Sequence, residues 1–344
     1  MTISSPHVSV VIPTYQSAGT LVKAVQSVLM QDYLDYELII VDNGSTDITP
    51  TIISELIGKD QRIKSLRLNV NQRPAGGRNA GVNAARSDLI AFLDADDEWL
   101  PGKLKTQVSL LDAYSDYDLV FSDSWIVNQP VSQRFSHMAT NKKVICNLTL
   151  RPVSDYEKTY FVSGPVTRMI YTKSFINMST VLIRKEQFLN LGGFDKDRFG
   201  TEDIDFWVRF SRNSRFIYWD EYTALCYQGQ GTSKPSTKWL CELIRYHRKS
   251  LTSPDYADLV DVAEQNLEKA YRYLIVSYGL ENKPREALKA YRESKDLGFN
   301  PRLALYTSLA QFGAWPLQIG QLITNKRKQV KEKIHFWNAD EELK

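Results

Sequence analysis

The 344-residue chain has few cysteines: Cys146, Cys226 and Cys241 lie far apart with no CxxC pair. That spacing excludes a disulfide framework and a cysteine-based zinc site, and fits a reduced compartment. No apolar run reaches the ~18 residues a bilayer-spanning helix needs. The N-terminus has no basic segment followed by an apolar one, so no signal peptide is expected and the cytoplasm is the expected location. Charge of one sign is also scarce. The 43 Lys and Arg against 40 Asp and Glu leave +3, too little to argue for a nucleic-acid partner. Two common phosphate loops are missing as well. No Gly-Lys-Ser/Thr follows "GGRNAG", and no GxGxxG fingerprint occurs.

What is present is an ordinary globular balance, 43% hydrophobic and 24% charged, long enough for about two domains. The first part alternates short apolar runs with amphipathic stretches. "HVSVVIP", "YELIIVD", "SLRLN", "DLIAFLDAD" and "DLVFSDSWIV" read as strands; "TLVKAVQSVLMQ" and "GGRNAGVNAAR" have helical spacing. Near-continuous apolar strands separated by helices predict an α/β fold with a parallel sheet covered on both faces. Residues from about 125 to 175 read as a long irregular insertion. "RFIYWDEYTALCYQG" reads as paired short strands, and from about 237 the pattern is helical, broken at "GFNPR" and "GAWP".

Ligands of such sheets bind beyond the carboxyl ends of the strands. Each expected strand here ends in a polar cluster: "PTYQS", "DNGSTD", "NQRPAGG" and "DADDE". Together they bring Asp42, the backbone N–H groups of Gly44 and Ser45, Arg78 and an acid cluster to one edge. This inventory suits a nucleotide diphosphate and a metal.

The acids admit two readings each. Asp94 and Asp96 alternate at a strand end and project to one side, as hard ligands for Mg²⁺ or Mn²⁺ would; alternatively Asp96 or Asp97 caps a helix beginning near Pro101. In "TEDIDFW", Glu202, Asp203 and Asp205 suit either the positive end of a helix dipole or a general base. Asp42 accepts hydrogen bonds only, which fits a base carrying a ring N–H, or else it closes an Asx-turn. Arg78 is a phosphate ligand or a surface arginine.

As a set, "VVIPTYQSAGTLVKAVQSVLMQ", "IIVDNGSTD", "NQRPAGGRNAG", "AFLDADDEW", "GGFD" and "TEDIDFWVRF" resemble the motifs of family 2 glycosyltransferases, in order, over roughly residues 7–235. The resemblance implies a GT-A, Rossmann-like catalytic domain over 1–235. Its nucleotide-binding part would cover about 7–124 and its acceptor-binding part about 125–235, followed by a helical region over 236–344. It implies hexosyl transfer with inversion in polysaccharide biosynthesis, from a UDP-, GDP- or dTDP-sugar to a glycan or lipid-linked acceptor. Pro13, Thr14, Tyr15, Asp42, Gly44, Arg78, Asp94 and Ala95 would bind the nucleotide. Asp96, with Asp94, would hold Mn²⁺ or Mg²⁺. Asp203 would be the base and Glu202 its support. Many relatives carry a histidine after the ED helix as a further metal ligand; Gln228 stands in the matching stretch and either replaces it or touches no metal.

Two other classes remain open. A nucleotidyltransferase would need a basic, glycine-rich N-terminal loop, and "PTYQSAGT" offers only Lys23 nearby. A non-catalytic sugar-nucleotide or glycan-binding module would not need Asp203. In the tail, Trp315, Leu317, Ile319 and Leu322 precede Lys326, Arg327, Lys328, Lys331 and Lys333. Such a segment either lies on anionic lipid at the inner face of the membrane, as in a peripheral membrane protein, or packs on the catalytic domain.

Overall fold

The computed structural model describes residues 5–128, 133–228 and 236–298. The chain divides into two compact units, Met1–Thr232 and Ser233–Lys344. The tail from residue 299, and with it the expected lipid-facing segment, lies outside the described residues.

The first unit opens with β1 (Val8–Thr14), α1 (Leu21–Leu29), β2 (Tyr36–Asp42), α2 (Thr49–Lys59), β3 (Ile63–Arg67), α3 (Arg73–Ala84) and β4 (Leu89–Phe92). It continues through β5 (Glu98–Trp99), α4 (Lys103–Ala113), β6 (Leu119–Asn128), β7 (Gln133–Ser136), α5 (His137–Thr140) and α6 (Lys142–Ile145). Then come β8 (Thr149–Pro152), β9 (Thr159–Ser163), α7 (Val166–Thr172), a 3₁₀ turn (Met178–Thr180), β10 (Leu182–Arg184), α8 (Lys185–Asn190), α9 (Glu202–Ser211) and β11 (Phe216–Gln228).

Among the described residues these strands form one sheet in the order β3-β2-β1-β4-β10-β6-β11-β9-β8, with β5 on β11 and β7 on β6. The four strands β3, β2, β1 and β4 run parallel. All seven residues of β2 are buried, as a strand covered on both faces requires. Chain order reverses about β1, which has β2 on one side and β4 on the other. In sheets of this kind ligands bind beyond the carboxyl ends of the strands at such a switch point. Helix α3 lies so close to this pair that a Cβ on Gly81 would fall 2.3 Å from Val11 Cγ1. Only glycine permits that approach.

The all-parallel expectation fails at the other half. β10 runs antiparallel to both β4 and β6, and β9 is antiparallel to β11. The region expected to be irregular holds β7, α5, α6, β8, β9 and α7, because strand pairing with β6 and β11 organises a sequence of weak local pattern. The expected pair of short strands is instead the single β11, thirteen residues long. Register shifts between Trp219 and Ala224 bend it where a turn was expected.

In the second unit, α10 (Thr237–Thr252), a 3₁₀ turn (Pro254–Leu259), α11 (Val260–Leu280) and α12 (Pro284–Lys295) pack through Leu240, Leu243, Leu267, Tyr271, Leu274 and Ala287. No described helix is long and apolar enough to cross a membrane.

Candidate active site

An aromatic cluster joins the two acidic motifs. Phe92, which ends β4, lies 5.9 Å from Phe194 of the "GGFD" turn, and Phe194 lies 4.3 Å from Phe206 of α9. Burying these rings draws the first turn of α9 to the end of β4. The turn itself is clamped from two sides. Asn79 Nδ2 donates to the Phe194 carbonyl at 2.8 Å and Asn79 Oδ1 accepts the Phe194 N–H at 2.9 Å. Arg209 donates to the carbonyls of Leu191 and Gly193, each at 2.9 Å, and to Asp205. Asp205 is therefore a brace, paired also with Arg198 at 3.0 Å, rather than a reacting group. Gly193, at φ +73°, has no room for a side chain: its Cβ would sit 2.7 Å from Asn79 Oδ1.

Where the motifs meet stands Arg78. It is 6% exposed, so the surface-arginine reading is excluded. Its Nη2 donates to Asp94 Oδ1 at 2.5 Å and its Nη1 lies 3.9 Å from Glu202 Oε1. Burial works against its charge, but Asp94, Glu202 and Asp203 more than offset this and raise its pKa above the ordinary arginine value. Arg78 thus spans the acids of β4 and α9.

The acids around it differ. Asp203 is half-buried, and burial together with Glu202 lifts its pKa to about 6. Asp96 is half-buried too and is raised to about 6, by burial and then by Asp94. Asp97 points the other way, into the protein. It is 7% exposed, accepts from Ser179 Oγ at 2.6 Å and from the Tyr227 N–H at 3.2 Å, and is raised well above the carboxylate range by burial, Asp94 and Asp96. The capping alternative for Asp96 and Asp97 is contradicted. Gly102 is the N-cap of α4, and the side chain that accepts a first-turn N–H is that of Gln31, from Leu104 at 3.3 Å.

Asp42 closes β2 at 2% exposure. Its Oδ1 accepts the Ser45 N–H at 2.9 Å, so the Asx-type turn is real. Its Oδ2, also buried, lies 3.0 Å from Arg67 Nη1 and accepts no hydrogen bond. Gly44 follows at φ +80°. Thr14 is buried with its Oγ1 unpartnered, and Tyr15 beside it is 45% exposed. Pro13 precedes them at the end of β1, and Ala95 is buried between the two acids. Gln228 ends β11, but its side chain lies outside the described residues.

Several site residues were missed in the sequence: Asn43, Asn79, Arg67, Asp97 in its inward role, and Ser179. Asn43 accepts the Gln72 N–H at 2.8 Å and donates to the Arg73 carbonyl at 2.7 Å, tying the loop after β2 to the start of α3. The Asn-Gly dipeptide was the available signal for it.

A family model described as "Glycosyl transferase family 2" matches residues 9–176. The chain is also 31% identical over 178 residues to the "Putative teichuronic acid biosynthesis glycosyltransferase TuaG" of Bacillus subtilis, covering 49% of this chain and 69% of that protein. The chain belongs to glycosyl transferase family 2. Other relatives match over shorter stretches. The Campylobacter jejuni GalNAc(5)-diNAcBac-PP-undecaprenol beta-1,3-glucosyltransferase is 36% identical, over 40% of this chain and 44% of its own. The Escherichia coli UDP-Glc:alpha-D-GlcNAc-diphosphoundecaprenol beta-1,3-glucosyltransferase WfaP is 30% identical, over 43% of this chain and 63% of its own. The chain thus spans less than two thirds of the length of both glucosyltransferases. Among solved structures, S. aureus TarS 1-349 in complex with UDP-GlcNAc superposes with a TM-score of 0.56 at 19% identity, over 85% of this chain and 92% of that one. That likeness shows the fold, the GT-A arrangement with C-terminal helices beyond it.

Proposed function

We propose that this family 2 protein transfers a sugar from a UDP-sugar to a hydroxyl of a lipid-linked or glycan acceptor, with inversion, using Asp203 as general base. The observation that carries the reading is the placement of Arg78 between Asp94 and Glu202, with Asp203 beside it. Arg78 links the motif suited to a sugar diphosphate with the motif suited to an acceptor, which supports the reading. The printed activities of the Campylobacter jejuni and Escherichia coli relatives, beta-1,3-glucosyl transfer to undecaprenol-linked saccharides, support the donor and acceptor class.

In this reading the acceptor hydroxyl attacks the anomeric carbon from the face opposite the diphosphate. Asp203 takes its proton, the new C–O bond forms, and the bond to the phosphate oxygen breaks with its electron pair leaving on the diphosphate. A carboxylate with pKa near 6 is ionised at neutral pH and still basic enough to accept that proton. Glu202 faces Arg78 and keeps the cation between the two acid motifs. The Asp42 carboxylate would accept a ring N–H of the base, with Gly44 allowing close approach, while Pro13, Thr14 and Tyr15 line the base pocket.

A divalent cation would sit beside Asp96. Burial, and then the like charge of Asp94, raise the pKa of this half-buried carboxyl. Among the described residues no three or more His, Cys, Asp or Glu groups are arranged to hold a metal. Asp96 would therefore hold Mg²⁺ or Mn²⁺ together with oxygens of the donor. Asp94, already engaged by Arg78, would be a second protein ligand at most. When bound, the ion would neutralise charge on the departing diphosphate.

The test is a panel of UDP-, GDP- and dTDP-sugars, read by thermal stabilisation and by metal-dependent hydrolysis. The reading expects UDP-sugars to raise the melting temperature and to be hydrolysed only with Mn²⁺ or Mg²⁺. Stabilisation by none of the panel would overturn it.

A further inference from the structure

The four-residue turn from Asp94 to Asp97 is closed by its own backbone bond, Asp97 N–H to the Asp94 carbonyl at 3.0 Å. A second closure comes from a distant element. Ser179, fully buried in the 3₁₀ turn before β10, donates its hydroxyl to Asp97 Oδ2 at 2.6 Å and accepts the Asp94 N–H at 3.2 Å. One oxygen atom thus holds both ends of the turn that presents Asp94 and Asp96.

That oxygen is itself held still. The Ser179 N–H donates to Asn177 Oδ1 at 2.9 Å, and Asn177 Nδ2 donates to the buried Cys226 thiol at 3.3 Å. Trp99 Nε1 donates to the Ser179 carbonyl at 2.7 Å. On the far side Asp97 Oδ1 accepts the Tyr227 N–H at 3.2 Å, one residue before Gln228. The turn, the 3₁₀ element and the end of β11 form one network.

We infer that Ser179 is a positioning residue for the donor site: acting through Asp97, its hydroxyl fixes the turn so that the Asp96 carboxylate faces that site. The inference rests on the proposed function, since it concerns how a cation and a diphosphate are held there. Serine suits the task because a hydroxyl donates and accepts at once. Alanine removes the Ser179 donor from Asp97, which keeps the Tyr227 N–H and the Cys226 thiol, and leaves the Asp94 N–H without its side-chain acceptor. Threonine keeps both bonds.

The test uses the full chain and measures Mn²⁺ affinity in the presence of UDP by calorimetry. The set is wild type, Ser179→Ala, Ser179→Thr, Asp97→Asn, the Ser179→Ala/Asp97→Asn double variant, and Asp96→Asn as the ligand control. Thermal unfolding identifies the folded variants. Removing a partner that orients a metal ligand typically weakens binding by about tenfold or more. Ser179→Ala is expected to lose about that much, Ser179→Thr to recover it, and the double variant to bind no worse than the weaker single variant, because both substitutions break one linkage. A folded Ser179→Ala that binds Mn²⁺ like wild type, while Asp96→Asn does not, overturns this inference and leaves the proposed function standing. Additive losses in the double variant overturn the route through Asp97. If Ser179→Ala does not fold, Asp97→Asn decides: folded with unchanged affinity, it overturns the inference. A wild type that binds no Mn²⁺ with UDP overturns both, and does so in the wild-type arm alone.

Discussion

Arg78 donates to Asp94 at 2.5 Å from the middle of α3, the glycine-bearing helix that lies tight on β1. Its other Nη reaches toward Glu202 at 3.9 Å. A single buried cation therefore balances acids contributed by two separate stretches of chain. Removing it would leave those charges facing one another with little water.

Arg78→Ala is accordingly expected to be costly twice over. Breaking a buried ion pair from one side typically costs about 3–5 kcal/mol. The urea midpoint should fall correspondingly, and UDP affinity should fall with it. A variant that unfolds at the wild-type midpoint would show that the acids do not depend on Arg78.

Asp203 gives a pH signature with a definite sign. Its folded pKa of about 6 lies above the ordinary 3.8, so the folded state binds the proton more tightly. Its relative contribution to stability is fully present below about pH 4 and is lost as pH rises through 6. Asp203→Asn mimics the protonated form. It should be more stable than wild type by roughly 2–3 kcal/mol at neutral pH, with the gap closing as pH falls from 6 toward 4. Denaturant unfolding across that range measures it, and a gap constant with pH would contradict the assignment.

Glu37 should behave in the opposite sense. Burial alone would raise its pKa, but Lys64, the Arg86 N–H and side chain, and Ser9 hold it down to about 2. Its stabilisation is present above about pH 4.5 and is lost as pH falls through 2. Glu37→Gln should cost about 3 kcal/mol at neutral pH and much less in strong acid. It lies near the start of β2, at the opposite end of the strand from Asp42, so kcat should be unaffected in the variant that remains folded.

Legibility in the sequence followed the physics of each element. β1, β2 and β4 were readable because a strand covered on both faces is near-continuously apolar, and β6 was readable from the apolar runs at its two ends, whereas β3, an edge strand of alternating exposure, offered only a short apolar signal. The helix of "GGRNAGVNAAR" was readable too, and the close approach of its Gly81 to Val11 leaves no room there for a side chain. β11 was misread as two short strands, since its pairing depends on partners far along the chain and it changes register midway. In the site, Asp94, Asp96 and Asp203 stood out as acids at element ends. Ser179 did not, because a hydroxyl beside a short apolar strand carries no local signal of the turn it meets 85 residues away.

The most direct test of the central claim is turnover and UDP affinity measured together in Asp203→Asn, with the donor identified by the nucleotide-sugar panel. A general base typically contributes about 10²- to 10⁴-fold. The expected result is a fall in kcat of that size with UDP affinity within about twofold of wild type. A variant that turns over at the wild-type rate would contradict the assignment of Asp203 as the base.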